Sequence, residues 1–124
     1  MHFSGDFLDC SSHRYLCAYL YSHSASEILT GLSSCTTQEK LCAGVYERLA
    51  ERSPTADVLT LQLLRRDEGR PLDGFFAVEL KAARYSIQHH DYREGIRARS
   101  IDKDDAPRGE PAHFEEVQIS GLDW

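Results

Sequence analysis

The chain is poor in residues that break regular structure, with 8 glycines and 4 prolines among 124 residues. That scarcity excludes a collagen-like repeat and a Pro/Gly-rich disordered tail. Long apolar runs are missing as well. No uninterrupted stretch approaches the roughly 18 apolar residues of a membrane-spanning helix, so no membrane partner is expected. There is no basic excess either: 14 Lys and Arg stand against 20 Asp and Glu, a formal net charge of −6. Residues 1–50 carry three basic and five acidic side chains, and residues 51–124 carry 11 and 15, so neither half is basic. The short runs Arg65-Arg66 and Arg97-Ala98-Arg99 do not reverse this. Nucleic-acid binding depends on neutralising phosphates and is therefore not expected. The start Met1-His2-Phe3-Ser4-Gly5-Asp6 has neither the positive charge nor the apolar run of a secretory signal. Asp6 and Asp9 do not suit an acidic-poor transit sequence.

What is present is ordinary globular usage, 41% hydrophobic and 27% charged. A chain of this length makes one small domain and hides roughly two-thirds of its extended surface on folding. All four cysteines, Cys10, Cys17, Cys35 and Cys42, fall in the first 42 positions. Neither adjacent pair has a close-paired zinc spacing, and with no secretory signal the expectation is buried, free thiols.

From Ser24 onward the pattern is helical. Ser24 and Glu27 form an S-x-x-E capping box, opening a short helix that is expected to end near Gly31. Thr36 and Glu39 repeat the device ahead of Leu41, Val45 and Leu49. Ser53-Pro54 reads as an N-cap followed by proline at the first helical position. The helix it opens points Val58, Leu61 and Leu64 inward, widened by Leu59 and Leu63, and ends with Arg65-Arg66 before a Gly69 stop. Asp73 is the expected cap of the longest helix, about residues 74–90. Its stripe Phe76, Leu80, Ala83 and Ile87 is expected to face the core. Asp91 restarts a helix through Tyr92 and Ile96 to about Ile101, and Pro107 and Pro111 keep the tail irregular. Strand signals are weak throughout, so the fold class is all-α, a small bundle of about five helices.

No catalytic constellation stands out. His89 and His90 are adjacent on a helix, point about 100° apart and suit a helix C-terminus better than one metal. Asp102, Asp104 and Asp105 enclose Lys103 and lack the glycine and distal glutamate of a calcium loop, so a solvated acidic turn is expected. No nucleophile elbow, phosphate loop or dinucleotide fingerprint occurs. Glu79 and Glu94 are acids of the right kind, yet on different helices they read as surface or helix-end charges.

The run Asp91-Tyr92-Arg93-Glu94-Gly95-Ile96-Arg97-Ala98, continued by Ile101-Asp102-Lys103-Asp104 and Ala106-Pro107-Arg108, resembles the C-terminal signature of 3-hydroxyisobutyryl-CoA hydrolases. Those enzymes form a branch of the enoyl-CoA hydratase/isomerase, or crotonase, superfamily. Ser53-Pro54-Thr55 is similar to the family's S-P-T segment, and Tyr21-Ser22-His23-Ser24 through Glu27-Ile28-Leu29 to its helical entry. Glu79 takes the place of the glutamate in its M-E-Y-R helix, with Leu80-Lys81 in place of Tyr-Arg. Gly109 stands where the family has tryptophan, and Arg99 and Ser100 replace apolar residues.

The resemblance spans roughly residues 21–117 and divides the chain into 1–20, 21–117 and 118–124. It implies the helical C-terminal region of a crotonase-like enzyme without the ββα spiral core. In the family that core binds the CoA ester and supplies the backbone oxyanion hole and the acids that activate water. It therefore carries over no catalytic, cofactor-binding or metal-ligating residue, and no cofactor is expected. It implies a truncated protein of valine catabolism that is inactive alone, or an interaction module. Such a module would self-associate as a homo-oligomer or pack on a crotonase-type partner through exposed apolar helix faces. The compartment it implies is mitochondrial in a eukaryote and cytoplasmic otherwise.

Overall fold

A computed structural model of the chain describes residues 23–35 and 39–122. Five α-helices form among them, with no strand, in agreement with the all-α expectation. The chain divides into two units, Met1–Arg48 and Leu49–Trp124.

In the first unit, α1 (Ala25–Ser33) opens as its sequence dictates. The Ser24 hydroxyl accepts the Glu27 N–H, and the Glu27 carboxylate accepts the Ser24 N–H, so two of the donors left over at the helix start are satisfied. The helix runs past Gly31 to Ser33 and buries Ile28 and Leu32. Thr36, the expected second cap, lies outside the described residues. On α2 (Glu39–Ala50) the buried side chain is Cys42, while Leu41, Val45 and Leu49 are only half-buried. Cys42 is paired with Cys35 in a disulfide, their Cα atoms 6.2 Å apart. The free-thiol expectation is corrected for this pair, because a disulfide depends on how near two side chains lie in space, which linear spacing does not reveal. Cys10 and Cys17 lie outside the described residues.

The second unit holds α3 (Pro54–Asp67), α4 (Leu72–Gln88), α5 (His90–Ile96), a π-type turn over Arg97–Ile101 and a short 3-10 turn over Phe114–Glu116. Ser53 caps α3 through its hydroxyl, which accepts the Ala56 N–H, and Pro54 occupies the first turn as expected. Arg65 and Arg66 lie in the last turn of α3, and Gly69 follows with φ 71°, a left-handed conformation that costs glycine little. α4 starts earlier than expected, at Leu72, and its N-cap is Pro71. Asp73 is therefore inside the first turn, and its carboxylate accepts the adjacent Gly74 N–H.

α4 packs against α3 on one side of it in sequence and α5 on the other, and the 3-10 turn comes back to α3. Leu59, Val78, Ala82, Ala98 and the polar Thr55 are buried. The buried residues of α4 are thus Val78 and Ala82, with Phe75 and Tyr85 half-buried on the same side. The stripe expected to face the core faces away: Phe76 is 61% exposed and Leu80 and Ile87 are each 54% exposed. Ala83 is exposed as well, and Leu72, one turn before Phe76, is 70% exposed. On α3, Leu64 likewise points outward while Leu59 takes the deepest position. The physical reason lies in α4 itself, which is apolar on two opposite faces; periodicity reports a face and does not choose between two.

Candidate functional site

The signature residues converge on one place, where α5 and the π turn meet the N-terminus of α3 and the loop that follows. α5 begins where α4 ends. His89 closes α4, its N–H reaching the Tyr85 and Ser86 carbonyls, and its ring stacks on Tyr85 at 5.9 Å. His89 Nδ1 then accepts the Asp91 N–H at 3.3 Å, so the residue read as a helix C-terminal histidine is also the N-cap of the next helix.

Asp91, in the first turn of α5, is almost fully enclosed. Its Oδ2 accepts the Ser53 hydroxyl, and its Oδ1 accepts the Glu110 N–H at 2.7 Å and His90 Nδ1 at 3.2 Å. Ser53 thus does two things at once, capping α3 through its lone pair and giving its proton to Asp91. Burial pushes the Asp91 carboxyl up, but the Glu110 N–H, the Ser53 hydroxyl and His90 together hold it below the usual aspartate range. The negative charge sits beside the starts of two helices, where the backbone dipoles favour it.

One turn on, Glu94 and Arg97 form a forked pair: Arg97 Nε donates to Oε2 at 2.9 Å and Nη2 to Oε1 at 2.7 Å. Oε1 also accepts the Arg108 N–H at 3.0 Å. The Arg97 fork and the Arg108 N–H bring the Glu94 carboxyl down to about 2. The other guanidinium nitrogen reaches into the acidic turn, Nη1 donating to Asp102 at 2.6 Å and to Asp104 at 2.7 Å. Asp104 accepts the Ala106 N–H in turn, and Arg97 holds its carboxyl below the ordinary range. The Asp102–Asp105 segment is exposed, as expected, yet it is organised around one arginine, a pairing that spacing alone did not predict.

Two non-glycine residues of this turn, Lys103 and Asp105, have φ of 55° and 51°. The left-handed region is costly for side-chain-bearing residues, and the surrounding bonds supply the compensation. The Asp102 N–H donates to the Arg97 carbonyl and the Asp105 N–H to the Ala98 carbonyl. Ala98 is buried where the loop folds back, which accounts for a small side chain at that place in the signature. Nothing within 4 Å of a Cβ at Gly95 explains the glycine there.

Gly109 marks a real departure. A Cβ there would lie 3.2 Å from Pro54 Cδ and 3.5 Å from Asp91 Oδ2, so the backbone passes close to the start of α3. A side chain at this position would require Pro54 to give way by a few tenths of an ångström. Arg99 and Ser100 are exposed, Arg99 lying 3.8 Å from Asp105, and so their polarity carries no burial cost here. Of the two acids singled out from the sequence, Glu94 is therefore at the centre of the network, while Glu79 lies apart on the flank of α4.

A second set of polar atoms opens α3. Thr55 Oγ1 and Asp57 Oδ2 are buried without a hydrogen-bond partner among the described residues. Burial raises the Asp57 carboxyl to about 6 against the opposing pull of Arg52. No cluster of three or more metal-ligating side chains forms among the described residues.

Comparison with known proteins agrees with the signature. Residues 8–123 match the family described as Enoyl-CoA hydratase/isomerase. The chain belongs to the enoyl-CoA hydratase/isomerase family. Among its relatives, 3-hydroxyisobutyryl-CoA hydrolase, mitochondrial, of Gallus gallus is 39% identical over 77 residues, covering 62% of this chain and 20% of the relative. The Homo sapiens protein of the same name is 35% identical over 70 residues, covering 56% and 18%. A third, Small ribosomal subunit protein mS47 of Arabidopsis thaliana, is 32% identical over 85 residues, covering 66% and 21%. The chain spans about a fifth of the length of these relatives. No helix among the described residues is long and apolar enough to cross a membrane.

Proposed function

We propose that this enoyl-CoA hydratase/isomerase family chain is a truncated 3-hydroxyisobutyryl-CoA hydrolase-like protein: the C-terminal helical scaffold, inactive alone in thioester hydrolysis. One observation carries the reading. The ionised groups of the signature are committed to one another and to the loop backbone. A general acid or base must exchange a proton near neutral pH. Glu94, with both oxygens bonded and its carboxyl near 2, is unsuited to that role, and Asp91 is held in the same direction. Their work is to fasten the loop over 102–110 to α3 and α5. On this reading residues 21–117 are the helical part of the family fold, and the groups that bind CoA and activate water for valine catabolism belong to the relatives' remaining length.

The test is a thioester-release assay on the purified chain with 3-hydroxyisobutyryl-CoA, following free thiol. The expected result is release no faster than the uncatalysed background; saturable turnover overturns the reading. The relatives' names place those proteins in mitochondria, and the same compartment is proposed here for a eukaryotic host, the cytoplasm otherwise. Fractionation of cells expressing the tagged chain checks it.

A second reading, an interaction module, is favoured by the outward stripe of α4 and by the relative whose name is that of a ribosomal subunit protein. On this reading the outer face of α4 is a packing surface, used against a crotonase-type partner or another copy.

A further inference from the structure

α4 is amphipathic twice over. At about 100° per residue, Val78 and Ala82 lie some 160° round the helix from Leu80, so the buried and exposed apolar stripes are opposed. A helix that is apolar on opposite faces is ordinarily enclosed from both sides. α3 and α5 are the helices that pack against α4 in the second unit. The outer stripe of Leu72, Phe76, Leu80 and Ile87 remains exposed over four turns, more than scattered surface residues account for.

Charge decides what fits this face. Asp73 and Arg84 are both exposed and lie on the same flank of the stripe, about 20° and 40° from Leu80. In a parallel pair of α4 helices each would meet its own kind. In an antiparallel pair related by a two-fold axis beside Leu80, Asp73 falls about 4.5 Å along the axis from Arg84 of the second copy, given a 1.5 Å rise per residue. Symmetry makes that ion pair twice, while Leu80 meets Leu80 at the centre and Phe76 approaches Ala83 of the second copy. Such self-complementarity is what an isologous interface requires.

We propose that the outer face of α4 is a homodimer interface, two copies of the chain pairing α4 antiparallel about Leu80. This deepens the reading of that face as a packing surface and rests on it. A single helix pair buries less than a standard interface, so association in the micromolar range is expected.

Sedimentation equilibrium of the full chain across that range tests the proposal. A reversible monomer–dimer equilibrium is expected. Leu80→Lys should weaken it about tenfold or more, because it places two charges at the centre, with the circular dichroism and thermal unfolding of the monomer retained. Asp73→Arg and Arg84→Asp should each weaken association, and the two together should restore it. A chain that stays monomeric overturns the proposal, as does a dimer indifferent to Leu80→Lys or one that the double exchange fails to restore. A monomer that nevertheless binds the remaining part of a relative's hydrolase sinks the homodimer and keeps the packing surface; one that binds neither sinks both.

Discussion

The loop network around Asp91 and Glu94 and the outer face of α4 lie in the same unit and differ in one respect: how far the chain satisfies them by itself. In the network, every carboxylate has hydrogen-bond donors within the unit, several of them backbone N–H groups from residues 106–110. On α4, large apolar side chains stand in water. A self-satisfied polar cluster in this position holds local structure together, whereas the apolar stripe is left without cover among the described residues. The family signature, read structurally, is a fastening of the first kind.

The comparison breaks most sharply at Asp91. Asp91→Ala should remove a hydrogen-bonded, enclosed carboxylate and leave the Ser53 hydroxyl and Glu110 N–H without their acceptor, at a cost of about 2–3 kcal/mol. Urea unfolding followed by circular dichroism measures it; a loss under about 0.5 kcal/mol would show that the network is not what holds the loop. Ser53→Ala should cost less, about 1 kcal/mol, since it deletes an α3 cap and one of several donors to Asp91. Asp57→Asn should act in the opposite direction. It removes a charge held in a partly buried place and should raise stability at neutral pH by on the order of 1 kcal/mol, discounted for the carboxyl's access to water. Smallest of all should be Leu80→Lys, within about 0.5 kcal/mol for the isolated monomer, because the side chain has little to lose.

The pH dependence sharpens the same contrast. Glu94 falls from an ordinary 4.5 to about 2 on folding, so the stability it confers is complete above about 4.5 and is lost as pH falls toward 2. Asp57 rises from 3.8 to about 6, so its contribution is full below 3.8 and declines as pH rises through 6. Thermal unfolding should therefore show greatest stability on a narrow plateau around pH 4 to 4.5, with a decline from there to about pH 6. Asp57→Asn should extend that plateau toward neutral pH, and Glu94→Gln should flatten its acid limb.

Local chemistry was legible from residue order because each such device acts within a few positions. Ser24 with Glu27, Ser53 before Pro54, and Gly69 after Arg65-Arg66 close or open helices through atoms three or four residues away. The residues of the network were legible too, as a signature, though not what each one bonds. Asp91 reaches Ser53 across 38 positions, and Glu94 reaches the Arg108 N–H across 14. Nothing in spacing pairs such partners.

Sequence by itself determined that the chain is helical, where the second unit's helices start and stop to within a residue or two, and to which family it belongs. Tertiary structure alone decided three things. It turned Val78 and Ala82 inward and Phe76, Leu80 and Ile87 outward, because α4 carries two apolar faces and only its neighbours choose between them. It joined Cys35 to Cys42, because a bond depends on where two side chains meet and not on how many residues separate them. And it made Gly109 a close passage past Pro54 and Asp91, because the space at a position is set by what folds back against it.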